Sequence, residues 1–333
     1  MEFDRTINLK SFVLKLSILF ILLLIASIVS LQLGSVNISI AEIYKLFVNS
    51  ENAGTAKEII FNIRIPRLLL AIGVGGGLSV AGAVFQALLM NPLADPYILG
   101  VSSGGSFGAV LALLLGLSFV FVQLFSIVAA LVVIILVFLI GHRFGRLEPN
   151  TLLLTGVMIG AFFSAAILLM LTFLNNTLRT AIFWLVGNLA MADNFSAYYV
   201  VIFSIIISII LSFFGYKLNL LAMGDEDSSN LGLNTRTVKS VIYIFASVLV
   251  GIIVSVSGII GFIGLLIPHV VRMIFGTDNR IVVPASFLIG AIFLIITDTI
   301  ARIIILPSEL PVGVVTAIIG APTFIYLLKK RQA

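Results

Sequence analysis

From Leu68 to Met90 the chain runs without a single charged residue. A stretch of that length can cross a bilayer as a helix, which takes about 20 apolar residues. Its small residues, Gly73, Gly75, Gly76, Gly77, Ser79, Ala81, Gly82 and Ala83, let neighbouring helices approach closely, as membrane helix interfaces require. Arg64 and Arg67 flank Pro66 just before it. A polar, proline-marked turn, Asn91-Pro92-Leu93-Ala94-Asp95-Pro96, follows, and then a second glycine-rich span. A charged doorway, a tightly packed span and a rigid hinge in succession form the layout of a transport pathway rather than of an anchor.

Hydrophobic residues make up 61% of the chain and charged ones 10%, with a mean hydropathy of +1.26. Soluble domains carry about a quarter charged residues, so the composition specifies an all-α, polytopic membrane protein. The 333 residues are expected to form one transmembrane domain, 1–333, with about ten spans. We expect them near 12–33, 66–90, 98–116, 119–140, 151–174, 197–215, 240–257, 259–275, 282–305 and 312–328. The eighth holds Pro268, His269 and Arg272 and is expected to end near Leu266. Segments 34–62 and 175–196 read as polar connections, the first with a short helix from Ile40 to Val48. With both termini inside, 13 of the 19 lysines and arginines, from Arg5 to Arg331, fall on the inner face, leaving Lys45, Lys57, Arg64, Arg67, Arg179 and Arg302 outside. That excess is the signature of cytoplasmic loops, and it explains the +5 net charge without nucleic acid. A multi-pass membrane location with both termini cytoplasmic is expected. The first apolar run, Val13 to Leu33, reads as a retained span.

At an offset of 176, Ser79, Val80, Gly82, Leu89 and Pro92 correspond to Ser255, Val256, Gly258, Leu265 and Pro268. This suggests repeat halves of roughly 64–190 and 240–330, inverted in the membrane as in many transporters.

The missing chemistry is equally informative. No lysine lies in a G-x-x-x-x-G-K-[ST] context, so the chain has no phosphate cradle for ATP. Cysteine is absent, and His142 and His269 lie far apart in sequence and suggest no metal or haem site. Catalytic carboxylate pairs are absent from the spans. Asp298 stands four residues before Arg302, on the same helix face, where the two can neutralise each other. An ion-coupled carrier places unpaired ionisable groups near the midplane, and no convincing set is present. Asp95 and Glu309 lie in connections.

The connection 217–239 differs from the others. Asp225, Glu226 and Asp227 can start a helix, because acids are favoured at its positive N-terminal end, and Gly232 can stop it. Around it, Leu220, Leu221, Met223, Leu231 and Leu233 would be exposed apolar groups on a loop, the mark of a docking surface.

The Arg-Ile-Pro-Arg doorway at 64–67, the run from Ser79 to Leu88, Asn-Pro-Leu-Ala-Asp-Pro at 91–96 and Leu-Gly-Val-Ser-Ser-Gly at 99–104 resemble the FecCD/BtuC-type permeases. So do Gly261 to Leu265, Ile267-Pro268-His269, Glu309 to Thr316 and Gly320-Ala321-Pro322. The resemblance implies a ten-helix membrane subunit of a binding-protein-dependent ABC importer for iron-siderophores, haem or cobalamin. It implies a second permease copy, two ATPase subunits that supply the ATP-Mg site, an extracytoplasmic binding protein, and no cofactor in this chain. Carried onto matching positions, it makes Arg64, Arg67 and Arg302 receivers of glutamates from the binding protein. Asn91, Pro92 and Leu93 become an inner gate. Pro149 and Asn150 fall at a second gate, where the cobalamin permease has Thr-Ser. Gly224, Asp225, Glu226, Leu231, Gly232 and Leu233 fall in the segment that couples to the ATPase. The bland alternative for the three arginines is interfacial snorkelling. A guanidinium fork, however, suits a carboxylate better than an ammonium does.

Overall fold

In the computed structural model of the protein, residues 9–48, 54–143, 146–175, 177–190, 193–306 and 308–332 are described; Arg5, among the expected inner-face cations, lies outside them. The chain folds as α1 (Leu9–Gln32), α2 (Ile40–Val48), α3 (Gly54–Glu58), a π-helical turn (Ile59–Arg64), α4 (Ile65–Leu88), a 3-10 turn (Pro96–Leu99), α5 (Val101–Leu114) and α6 (Phe119–Gly141). There follow α7 (Pro149–Leu171), α8 (Leu178–Leu185), α9 (Asn194–Phe213), α10 (Gly215–Leu221), α11 (Asp225–Asn230), α12 (Thr235–Ser257), α13 (Ile263–Phe275), α14 (Asn279–Ile303) and α15 (Val312–Gln332). The extended structure among the described residues is a two-residue antiparallel pairing of His142–Arg143 with Arg146–Leu147.

Among the described residues seven helical stretches are long and apolar enough to cross a membrane, and three shorter apolar helices, α5, α13 and most of α15, fall at the remaining expected spans. Helices of 14 and 13 residues, like α5 and α13, reach only about 20 Å, short of the ~30 Å hydrocarbon core. Their irregular flanks, Pro96–Leu99 and residues 258–262, therefore lie at depth. Leu99, Gly100 and Ile260 there are buried against protein, the setting in which non-helical backbone is tolerated.

Helix α4 is the hub, its side chains buried almost without a break from Leu70 to Leu88. It packs against α9, α12, α13 and α14. In two of these contacts a carbonyl of the neighbouring helix meets the α4 backbone. A Cβ at Gly75 would meet the Gly290 carbonyl oxygen of α14, and one at Gly82 would meet that of Gly264 in α13. Between them Ser79 returns its hydroxyl to the Gly75 carbonyl, 2.8 Å away, and so keeps a polar atom satisfied inside the packed interface. The exposed apolar faces of α1, α6, α7 and α9 point away from the bundle.

Two expectations need correction. The eighth span does not end near Leu266, for α13 continues through Pro268 to Phe275. Proline removes one helical donor, leaving the Gly264 carbonyl without its partner four residues on, and Gln86 of α4 donates to that carbonyl at 3.4 Å and to Leu265 at 3.3 Å. Residues 54–64 are helical rather than a polar connection, because Ile60 packs with Ile38 and Leu46 in a small separate core.

The close approach of α4 and α13 makes a test. Gly82→Val places a side chain on backbone, which cannot yield as a side-chain tip can, and should destabilise by about 3 kcal/mol or more. Gly160→Ala in α7 meets only ordinary contacts and should be neutral or stabilising, by at most about 1 kcal/mol. Thermal unfolding of the detergent-solubilised protein compares them; equal midpoints would refute the backbone contact.

Candidate functional site

The first residues singled out by sequence come together at one end of the bundle. Arg67 enters from the first turn of α4, which Pro66 opens without wasting a donor. Asp298 and Arg302 come from the last turns of α14. The Arg67 Nε donates to both oxygens of Asp298 at 2.9 and 3.1 Å, and its Nη1 to Oε2 of Glu309 at 2.5 Å. Arg302 lies 3.3 Å from the other side of Asp298, the pairing four residues apart that the sequence indicates. Its Nη2 also reaches Ser30 of α1, 2.7 Å from the hydroxyl and 3.2 Å from the carbonyl.

Arg64 does something the sequence did not reveal. It donates to Leu31 at 2.6 Å, to Gln32 at 3.1 Å and to the Val36 carbonyl. The last carbonyls of α1 lack helical donors and carry the negative end of its dipole, so the guanidinium caps that end. Gly34 leaves it room; a Cβ there would come within 2.6 Å of Arg64 Nη2. All three arginines are therefore buried and engaged within the chain, at 4–5% exposure, while Glu309 is the exposed member of the group.

At the opposite end α4 stops in a Schellman motif. Asn91 N–H bonds the Gln86 carbonyl at 3.1 Å and Met90 N–H that of Ala87 at 3.3 Å. Met90 takes the left-handed conformation that glycine usually supplies there, at φ +50°. Such backbone costs of order 1–3 kcal/mol and clusters where geometry is functional. Asn91 Oδ1 then accepts from Leu93 N–H at 2.9 Å, and Asp95 caps the 3-10 turn through Tyr97 N–H at 2.8 Å. Pro92 and Leu93 are exposed at the tip. Pro149 opens α7, and Asn150 beside it is exposed.

Behind this turn Gln86 links three elements. Its amide nitrogen approaches the Ala94 carbonyl at 3.3 Å as well as those of α13, and its oxygen accepts from Arg272. Arg272 also donates to the Ala83 carbonyl at 3.2 Å. The sequence signal was present but unread: an amide in a long apolar span must be satisfied internally. Gln86, Met90, Pro92, Arg272, Asn279 and Ala222 line a cavity of 650 Å³ open at this end.

The acid-started segment folds as expected, with α11 beginning at Asp225 and ending in a second Schellman motif at Gly232, φ +82°. Gly224, at φ +106°, precedes it, and Glu226 is exposed. Its leucines are only partly as expected. Leu231 is 60% exposed and Met223 39%, but Leu221 is buried and Leu220 and Leu233 are half-buried, because α10 turns that side onto the bundle. Asp225 pairs with buried Lys239 of α12 at 2.6 Å. Asn219 of α10 donates to Asp278 at 2.7 Å and accepts from both nitrogens of Asn279 at 2.8 and 2.9 Å. Burial opposes the Asp278 charge, but hydrogen bonds from Arg280 and Asn219 outweigh it and hold the carboxyl below its ordinary range. This clamp joins the segment to the start of α14. The sequence reading passed over it, since Asn219 and Asp278 lie about sixty positions apart.

Among the described residues no three His, Cys, Asp or Glu side chains gather as a metal site.

In sequence and overall fold the chain is similar to known proteins. An ABC transporter permease protein of Bacillus subtilis strain 168, YvrB, is 38% identical over 94% of this chain and 92% of its own length. The hemin transport system permease protein HmuU of Yersinia pestis is 36% identical over 96% of each chain. Other relatives carry names for cobalamin, Fe(3+)-citrate and molybdate import. A solved structure of a metal-chelate type ABC transporter in an inward-facing conformation superposes with a TM-score of 0.86, at 32% identity, over 95% of this chain and 98% of that one. The model of the FecCD transport family matches residues 22–330. Nearly the whole length is thus accounted for by one kind of molecule, and the chain belongs to the FecCD transport family of ABC importer permeases.

Proposed function

We propose that this permease moves an iron chelate, a ferric siderophore or haem, inward from an extracytoplasmic binding protein. In this reading two copies pair around the pathway, and two cytoplasmic ATPases hold the ATP-Mg that drives it. The Arg67 end faces outward, and both termini and the α10–α11 segment face the cytoplasm of a bacterial or archaeal cell. The observation that carries the reading is the division of labour along α14. One end is clamped by Asn219 to the segment bearing exposed Leu231, and the other holds Asp298 between two arginines. ATP binding would shift α10 and α11, and the clamp would pass that shift to α14 and to the turn at Pro92. Similarity to the hemin permease over nearly all of both chains supports an iron cargo. Cobalamin is the second reading, favoured by a relative named for its import. An ion-coupled carrier is less well supported, since Asp298, a deeply buried carboxylate, is already neutralised by Arg67 and Arg302.

Proteoliposomes containing the permease, its ATPases and its binding protein should take up ferric siderophore or hemin only with ATP, and regardless of membrane potential. Uptake that needs no ATP and collapses with the potential would replace this reading by the ion-coupled one.

Leu231→Asp is the clean probe of the coupling surface, since Leu233 is half-buried. Loss of an exposed apolar anchor of this kind costs about 1.4–2 kcal/mol, so ATPase affinity should fall tenfold or more. Undiminished co-purification and ATP-driven uptake would move the surface off this segment.

Leu93→Gly removes the exposed side chain at the tip of the proline turn. Several-fold more ATP should then be hydrolysed per cargo molecule transported. Tight coupling in that variant would shift the gate to Pro149 and Asn150.

A further inference from the structure

The charges at the Arg67 end do not balance. Among the described residues three guanidinium groups stand here with two carboxylates; Arg64 bonds only backbone carbonyls, and the two carboxylates paired with Arg67 and Arg302 are held very differently. Asp298 is 2% exposed, projects from a helix, and stands between two arginines. The Glu309 side chain is 39% exposed, while that of Arg67 beneath it is 5% exposed. Glu309 belongs to the connection between α14 and α15, whose backbone is fixed nearby by the Leu310 N–H on the Ala301 carbonyl at 3.1 Å. Its side chain can swing away without the connection moving.

The use of the Arg67 fork is also incomplete. Asp298 takes Nε with both of its oxygens, and Glu309 takes Nη1 with one. Nη2 is buried with no hydrogen-bond partner among the described residues. A buried unsatisfied donor on a cation is costly, and a guanidinium presents Nη1 and Nη2 side by side for end-on, bidentate capture of a carboxylate. The internal ligands leave that edge half-used.

We propose that Glu309 is a stand-in ligand. Before docking it covers Arg67, and an acidic side chain of the binding protein displaces it, taking Nη1 and the idle Nη2 together. Docking is then an exchange of one carboxylate for another rather than the filling of an empty site. Before the exchange, the cover spares the protein an uncompensated buried charge, which would be strongly destabilising. Afterwards Glu309 is released into water at the rim, where an unpaired carboxylate is well solvated. This inference rests on the reading of the Arg67 end as the docking face.

The test measures binding-protein affinity for the complete transporter in nanodiscs, carrying Glu309→Gln, Arg67→Lys, or both. Arg67→Lys keeps the charge that Asp298 needs while losing the fork, so the variant has a means of folding. If Glu309 holds Arg67 about nine-tenths of the time, removing the competitor tightens apparent affinity about tenfold. Arg67→Lys alone should weaken docking, and in that background Glu309→Gln should bring little gain. Weakened or unchanged affinity in Glu309→Gln, together with weakened affinity in Arg67→Lys, overturns the exchange and leaves the docking face standing. Unchanged affinity in all three variants overturns the docking face and the exchange with it.

Discussion

A backbone carbonyl that loses its helical donor inside an apolar interior must find another, and this protein is arranged around such carbonyls. An unsatisfied group costs several kcal/mol wherever water does not reach it. Arg64 answers the end of α1 and Gln86 answers the break made by Pro268. Each places one long polar side chain across a gap between helices that are otherwise joined by apolar packing. Because these bonds fix both distance and direction, they set the register of α1 against α4 and of α4 against α13. Packing of small residues alone would leave that register looser.

The two ends of the bundle inherit their geometry from this arrangement. α4 runs from Arg67 to the turn at Pro92, and α14 runs from Asp278 to Arg302 in the opposite sense, with backbone contact between them at Gly75 and Gly290. At 25 residues, α14 is about 37 Å long. A displacement at the Asn219 clamp is therefore delivered to a body touching α4 closely enough that sliding is resisted. Close-packed helices transmit strain and do not absorb it.

Much of this was legible in the sequence, for identifiable reasons. Apolar run length fixes a span, so the ten expected segments match ten helices. The helix at Ile40–Val48 and the start and stop of α11 at Asp225 and Gly232 follow from local chemistry, namely amphipathic spacing, an acidic first turn and a left-handed glycine. The Asp298–Arg302 contact needed only helical periodicity. What escaped was non-local satisfaction. That Arg64 caps α1, that Gln86 rescues Pro268, and that Asn219 meets Asp278 each depend on which helices become neighbours. The misplaced end near Leu266 belongs to the same class. Proline ends helices by local rules, and the rule lapses when a distant amide accepts the consequence.

The ionic group at the Arg67 end can be weighed against the same physics. Burying an ion pair returns little net stability, because desolvation consumes most of the Coulombic gain, and apolar replacements of similar volume often do as well. Stability is therefore a poor account of why three arginines and two carboxylates occupy the junction of α1, α4 and α14. Direction is the better account. Asp298 locks the Nε edge of Arg67, which turns its Nη edge toward the Glu309 rim, while Ser30 and Asp298 hold Arg302 from two sides. A single aspartate thus aims one fork and anchors a second, and the third, Arg64, is spent on the end of α1. The three arginines that look equivalent in the sequence are therefore not equivalent in the fold. Arg67 is the one whose Nη edge is met, among the described residues, by the exposed Glu309 alone and with one of its two nitrogens.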